Sequence, residues 1–261
     1  ASFRVVLASE RPLTGGATLR WALSDDAGAW DGGETAVTLD DAAAGPRQIA
    51  EFTLKFPDAS APHIGSLRVW LEHDVGSLTN AWPMFVYPPM TRPLWTGEAA
   101  AIDKVLLTPR WTSDLARQVA DGAHVICLPA SSDELPTQAL PFWRESVTLI
   151  QPHPIWSTFP QRGLTEMQFY SLASDRTLDR AALADLLSDQ SGADVTLQPV
   201  FSRLDARLFR LTDYVLEAQI GAGRALFSTL SHGAGRGDQS VSPASNLAGQ
   251  ALLRAWLGTL R

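Results

Sequence analysis

Along residues 210–232 the chain first alternates between apolar and polar positions and then stops alternating. Tyr214, Leu216, Ala218 and Ile220 share one face of a run whose other face carries Val215, Glu217 and Gln219. Gly221-Ala222-Gly223 supplies a tight turn, and Ala225 to Leu230 is apolar on both faces. A period of two marks a strand with one buried face, and a short run that is apolar throughout marks a strand buried on both. The stretch predicts two paired strands, the second lying inside a sheet with helices on either side and ending in a polar loop, Ser231 to Ser242.

From Phe3 to Tyr87 about seven short runs alternate, with turn residues between them. Phe3-Arg-Val-Val-Leu opens the series, and Leu19, Trp21 and Leu23 fall on one face of the next strand before Asp25-Asp26-Ala27-Gly28 turns the chain back. Ala36 to Leu39, Phe52 to Phe56, Leu67 to Leu71 and Trp82 to Tyr87 follow, with Gly32-Gly33, Gly45-Pro46 and Pro57 to Pro62 between them. Strands at this spacing, with no helical period, predict an immunoglobulin-like β-sandwich over residues 1–88. Its core is expected on Trp21, Phe52, Leu54, Val69, Leu71 and Phe85.

Pro88-Pro89-Met90-Thr91-Arg92-Pro93 cannot sustain a ladder or a helix, so residues 89–101 are expected to be a proline-rich linker. Beyond it the pattern changes. Lys104 to Thr108 reads as a strand, Ser113 to Asp121 as a helix stopped by Gly122, and His124 to Leu128 as a second strand. Strand, helix, strand predicts parallel pairing with a right-handed crossover. Another helix is expected from about Arg180 to Ser188 with Gly192 as its stop, and a last one from Ser242-Pro243, with Ala248, Leu252, Ala255 and Trp256 facing inward. Residues 102–261 are therefore expected to form an α/β domain, in which the long, poorly periodic stretch Pro129 to Leu178 lies over a site or makes an interface.

Composition narrows the function. A length of 261 residues suits two domains better than one. The formal net charge is −7 and Lys and Arg are not clustered, which excludes nucleic acid as a partner and a basic membrane-surface helix. No apolar run reaches the ~20 residues that a bilayer span needs. The chain opens at Ala1 directly into an apolar strand, as a piece of a longer protein would, and shows no signal peptide of its own. A removed targeting signal would put the protein in the periplasm or outside the cell, and the single cysteine, Cys127, leaves the redox compartment open. No motif asks for a cofactor.

Catalytic candidates are few. Cys127 sits within Val125-Ile-Cys-Leu128 without a flanking glycine and reads as a small core residue. Histidines at 63, 73, 124, 153 and 232 show no metal-binding spacing. Glu72-His73-Asp74 splits across the two faces of a strand and reads as a solvated face. Gly233-Ala-Gly-Arg-Gly-Asp238 lacks the endings of a phosphate loop. The Arg236-Gly237-Asp238 tripeptide within it keeps an adhesion module open as an alternative.

A set of phrases carries a family resemblance. Leu19-Arg-Trp-Ala-Leu, Asn80-Ala-Trp-Pro-Met-Phe-Val-Tyr-Pro, Phe142-Trp143, His153-Pro154, Thr158-Phe159-Pro160, Leu208-Phe209 and Glu217-Ala-Gln-Ile-Gly-Ala-Gly-Arg, in that order, resemble the carboxyl-terminal region of large family 2 glycoside hydrolases, the β-galactosidase-like sugar-binding proteins. The resemblance implies an immunoglobulin-like sandwich followed by a flavodoxin-like, glutamine-amidotransferase-like domain. It also implies a partner, either the parent protein's catalytic domain or an oligomer partner. It does not imply hydrolysis by this segment. The two glutamates of family 2 chemistry stand at the strand ends of a barrel of ~250 residues, for which there is no room, and the Asn-Glu hallmark is absent. Nor does Cys127 sit on an amidotransferase elbow; an independent amidotransferase-like or hydrolase-like enzyme is the alternative.

Carbohydrate contact is the sharper expectation. Sugars pack on aromatic platforms beside a few placed polar groups, and loops at the carboxyl ends of parallel strands are the place to look. Trp111 follows the first strand, Ser131-Ser132-Asp133 follows the second, and His153 and Trp156 lie in the long irregular stretch. Trp111, Asp133, His153 and Trp156 are the expected sugar contacts. Trp143 and Trp256 are expected in the core, and Trp30 and Trp70 at a neighbouring domain.

Overall fold

The structure is a computed structural model that describes residues 1–9, 13–39, 45–90, 92–129, 134–139, 146–161, 167–169, 172–231 and 246–260. The chain divides into two compact units, Ala1–Pro88 and Pro89–Arg261. The coarse expectation holds: among the described residues the protein is mainly β-sheet with three α-helices.

In the first unit, β1 (Ser2–Ser9) pairs antiparallel with β4 (Gly45–Thr53), and these two make a sheet of their own. β2 (Gly15–Asp25), β3 (Gly28–Leu39), β5 (His63–His73) and β6 (Gly76–Val86) form a second antiparallel sheet in the order β3-β2-β5-β6. Both sheets turn apolar side chains into one core: Leu7 and Phe52 from the pair, Leu19, Leu23, Val37, Leu39, Leu67, Val69 and Leu71 from the four strands. Trp21 is only partly buried, stacked on Phe52 with ring centroids 4.4 Å apart. Phe85 is no core residue. It pairs with Ile64, one position out of phase with Leu67, Val69 and Leu71, and so belongs to the opposite face.

In the second unit a nine-stranded sheet follows the path β10 (Thr137–Ala139), β12 (Arg176–Leu178), β14 (Arg210–Ile220), β15 (Gly223–Ser228), β9 (His124–Cys127), β8 (Val105–Thr108), β7 (Ala100–Ile102). β13 (Val195–Asp205) pairs with β14 and with β11 (Ser146–Ile150). β8 pairs parallel with β9, as does β9 with β15, while the other pairings are antiparallel. The stretch expected to be a linker is thus partly sheet: β7 begins at Ala100, Trp95 is buried, and the Leu94 amide donates to Gln250 Oε1 at 2.6 Å.

Helix ends follow from local chemistry. α1 (Ser113–Ala120) is capped by Thr112, whose hydroxyl accepts from the Leu115 amide, and Gly122 ends it at φ +113°. α2 (Arg180–Ser191) starts under the Asp179 carboxylate and ends at Gly192 in the left-handed region, φ +67°. α3 (Leu247–Leu260) is capped by Asn246, whose Oδ1 accepts from the Gly249 amide; Ser242 and Pro243 lie outside the described residues.

α1 and α2 cover one face of the sheet, with Ala116, Val119, Leu183 and Leu187 packed on Leu216, Ala218, Ile220, Ala225 and Phe227. Alternation sends Arg224 to the other face, where its Nη2 donates to the Thr259 carbonyl of α3 at 2.6 Å. The β14–β15 turn is wedged under the end of α1. Gly221 has φ +53°, a Cβ there would stand 2.6 Å from the Ala120 carbonyl oxygen, and one on Gly223 would collide with the Val119 and Ala123 carbonyls. The Ala222 amide closes the joint by donating to that Ala120 carbonyl at 2.9 Å.

Candidate functional site

Trp111 leaves the carboxyl end of β8 and turns into the α1/α2 cluster, edge-on to Phe227 at 4.9 Å. Trp156 lies in a 3-10 turn, Pro154–Thr158, and packs among Phe159, Phe169 and Phe201. Both rings are buried, so neither presents the open wall that sugar stacking uses. His153 is buried as well, and the sheet separates it from Trp111. Asp133 lies outside the described residues, as do Trp143 and Arg236-Gly237-Asp238. Trp111 is therefore not brought together with His153 and Trp156.

His153 instead joins a polar cluster inside the second unit. Its Nδ1 accepts from the Ile155 amide at 3.2 Å, which leaves the proton on Nε2, 3.4 Å from Glu217 Oε2. Arg224 Nη1 donates to Glu217 Oε1, also at 3.4 Å. Burial pushes the Glu217 carboxyl up, but contact with His153 and the charge of Arg224 outweigh it and hold the group below the usual carboxylate range. Glu217 and Arg224 could have been found from the hairpin alone. With the turn at 221–222, Gln219 opposes Arg224, which makes Arg224 a diagonal neighbour of Glu217.

A second buried carboxylate, Asp213 on β14, accepts from Arg180 Nε at 3.0 Å and Nη2 at 2.6 Å through Oδ2, and from Ser202 Oγ at 2.7 Å through Oδ1. These bonds tie α2 and β13 to β14. Among the described residues the first cluster has a base and a carboxylate without a nucleophile, and in the second the hydroxyl donates to the carboxylate with no histidine between them. Burial pushes the Cys127 thiol up to about 12, where the thiolate nucleophile is suppressed. Among the described residues no group of three His, Cys, Asp or Glu side chains could hold a metal ion, and no helix is long and apolar enough to cross a membrane.

The first unit presents a different surface. In the β5–β6 pair, Leu78, Trp82 and Met84 lie opposite Leu71, Leu67 and Gly65, so they share the inward face of the four-stranded sheet. Yet Leu78 is 52% and Trp82 44% exposed, because the facing sheet has only two strands and does not reach over β6. Between β1 and β6 this leaves a groove of about 510 Å³, walled by Phe3, Val5, Val6, Val69, Trp82 and Met84, with Arg4 the one charged residue among its described lining. The groove is an apolar surface that ordinary folding would cover.

Neither a scan against protein-family models nor a search of curated proteins matches this chain.

Proposed function

We propose that the chain is a non-catalytic accessory module of a glycoside-hydrolase-like, β-galactosidase-type protein, and that docking to a neighbouring domain or subunit is its main task. In this reading the first unit is an immunoglobulin-like sandwich, supported by two antiparallel sheets sharing one core. The second unit is flavodoxin-like in its parallel part, β8-α1-β9 with β15, and departs from that pattern in its antiparallel strands β10 to β14. Among docking, oligomerisation and carbohydrate binding, one observation favours docking: the inward face of β6 leaves Leu78 and Trp82 about half exposed among the described residues. Burial of Trp111 and Trp156 counts against a sugar platform at those residues.

The test pairs two measurements on wild type and a Leu78→Glu/Trp82→Glu variant. Hydrolysis of chromogenic galactosides, glucuronides and esters is followed first, and no turnover is expected from either protein. Sedimentation velocity with a separately produced family 2 catalytic barrel is followed second, and co-sedimentation is expected for wild type and lost in the variant. Turnover abolished by Glu217→Gln, or a barrel that ignores both proteins, would sink the reading.

A further inference from the structure

Resting on that docking reading, we infer that the groove takes a single β-strand donated by the partner, added to the free edge of β1. Two features of β1 point to a strand rather than a helix or a flat surface. Among the described residues β1 pairs with β4 alone, so from Ser2 to Ala8 its other edge has no strand beside it, and a strand there continues the β4–β1 ladder. Directly below that edge lies the apolar groove. A strand's side chains alternate, so every second residue would drop onto Trp82 and Met84 while the rest face solvent. Main-chain pairing and apolar filling are then satisfied by one occupant in one register.

Charge defines the occupant further. Arg4 lines the groove, is exposed, and takes no ion-pair partner among the described residues. Its neighbour across the ladder on the β4 side is Glu51. A carboxylate at the matching position of the incoming strand would flank Arg4 with acids on both sides, the favourable cross-strand arrangement. The occupant is thus an extended segment with aliphatic residues at alternate positions and an Asp or Glu beside Arg4.

The probe is a synthetic peptide of eight residues, the length of β1, with valine at every second position and one central aspartate. A peptide of the same composition with its valines contiguous is the control. Saturable binding seen in tryptophan fluorescence, with slowed amide exchange confined to β1, is expected for the alternating peptide and not for the control. Trp82→Ser, with its melting temperature followed as a check that the fold is kept, should weaken binding by ~tenfold. Arg4→Glu should weaken the aspartate peptide by about two- to fivefold and favour a lysine version instead.

Equal binding of the control, no binding at all, exchange unchanged in β1, or a Trp82-dependent dimer of the chain alone would overturn the inference. The barrel experiment separates the two levels. Trp82-dependent co-sedimentation without peptide binding removes strand donation and leaves docking standing, whereas loss of both removes docking as well.

Discussion

β6 and β14 have eleven residues each, and both carry large apolar side chains. β14 is buried without a break from Thr212 to Ala218, and β6 is exposed from Gly76 to Pro83. Hydrophobicity does not separate them, since β14 buries two carboxylates while β6 exposes a leucine and a tryptophan. Cover does. β14 lies inside a nine-stranded sheet with α1 and α2 on one face, whereas β6 is an edge strand whose inward face extends past the two strands opposite it. A strand buried on both faces needs partners for the polar groups it carries; β14 finds them in Arg180, Ser202 and Arg224, while Glu217 Oε2 has only the 3.4 Å approach of His153 Nε2. An uncovered strand meets no such demand but keeps apolar surface in water.

Truncation tests the contrast most strongly. Leu216→Ala, in the middle of β14, should cost about 2–5 kcal/mol in urea unfolding, the range for a closed core site. A loss below about 1 kcal/mol would mean that the two strands do not differ in cover. Next comes Arg180→Ala, which leaves the Asp213 carboxylate buried with Ser202 as its remaining side-chain partner among the described residues; we expect about 1–3 kcal/mol, discounted because Arg180 is half exposed.

Glu217 gives a pH-dependent effect. Folding lowers its carboxyl, so its stabilisation is complete above the unfolded value and disappears as pH falls through the native one. The stability gap between wild type and Glu217→Gln should therefore shrink as pH drops below the ordinary 4.5. A constant gap from neutral pH into acid would show that the carboxylate is not held by Arg224 and His153. Cys127, on the covered strand β9, should resist a thiol reagent at mildly alkaline pH and react only after urea is added; labelling of the native protein at the rate of a free thiol would contradict its enclosure. Smallest of all, Leu78→Ala on β6 should leave the urea midpoint within about 0.5 kcal/mol of wild type.

Legibility along the chain followed the same division. The β14–β15 hairpin and the ends of α1 and α2 could be read in advance, because alternation marks a one-sided strand and only glycine is at ease at the left-handed stops Gly122 and Gly192. β13 could not. Its ladder with β14 shifts register on either side of Phe201, next to Pro199, and each shift breaks the period of two. β6 was expected from Trp82 but begins at Gly76, since an uncovered strand has no need of a continuous apolar face. In the site, His153 stood out in the sequence, but its partners on β14 and β15 come from tertiary contact. Trp111 and Trp156 looked alike in the sequence, and packing places both inside the second unit.

The joint between the β14–β15 turn and α1 has a consequence for how the second unit comes apart. The Ala222 amide holds the Ala120 carbonyl, and neither Gly221 nor Gly223 leaves room for the helix end to shift on its own. Fraying of the last turn of α1 therefore has to open the hairpin with it, although about a hundred residues of chain separate the two. In native-state exchange their amides should form one cooperative unit, opening at a shared free energy rather than as an independent helix end and loop.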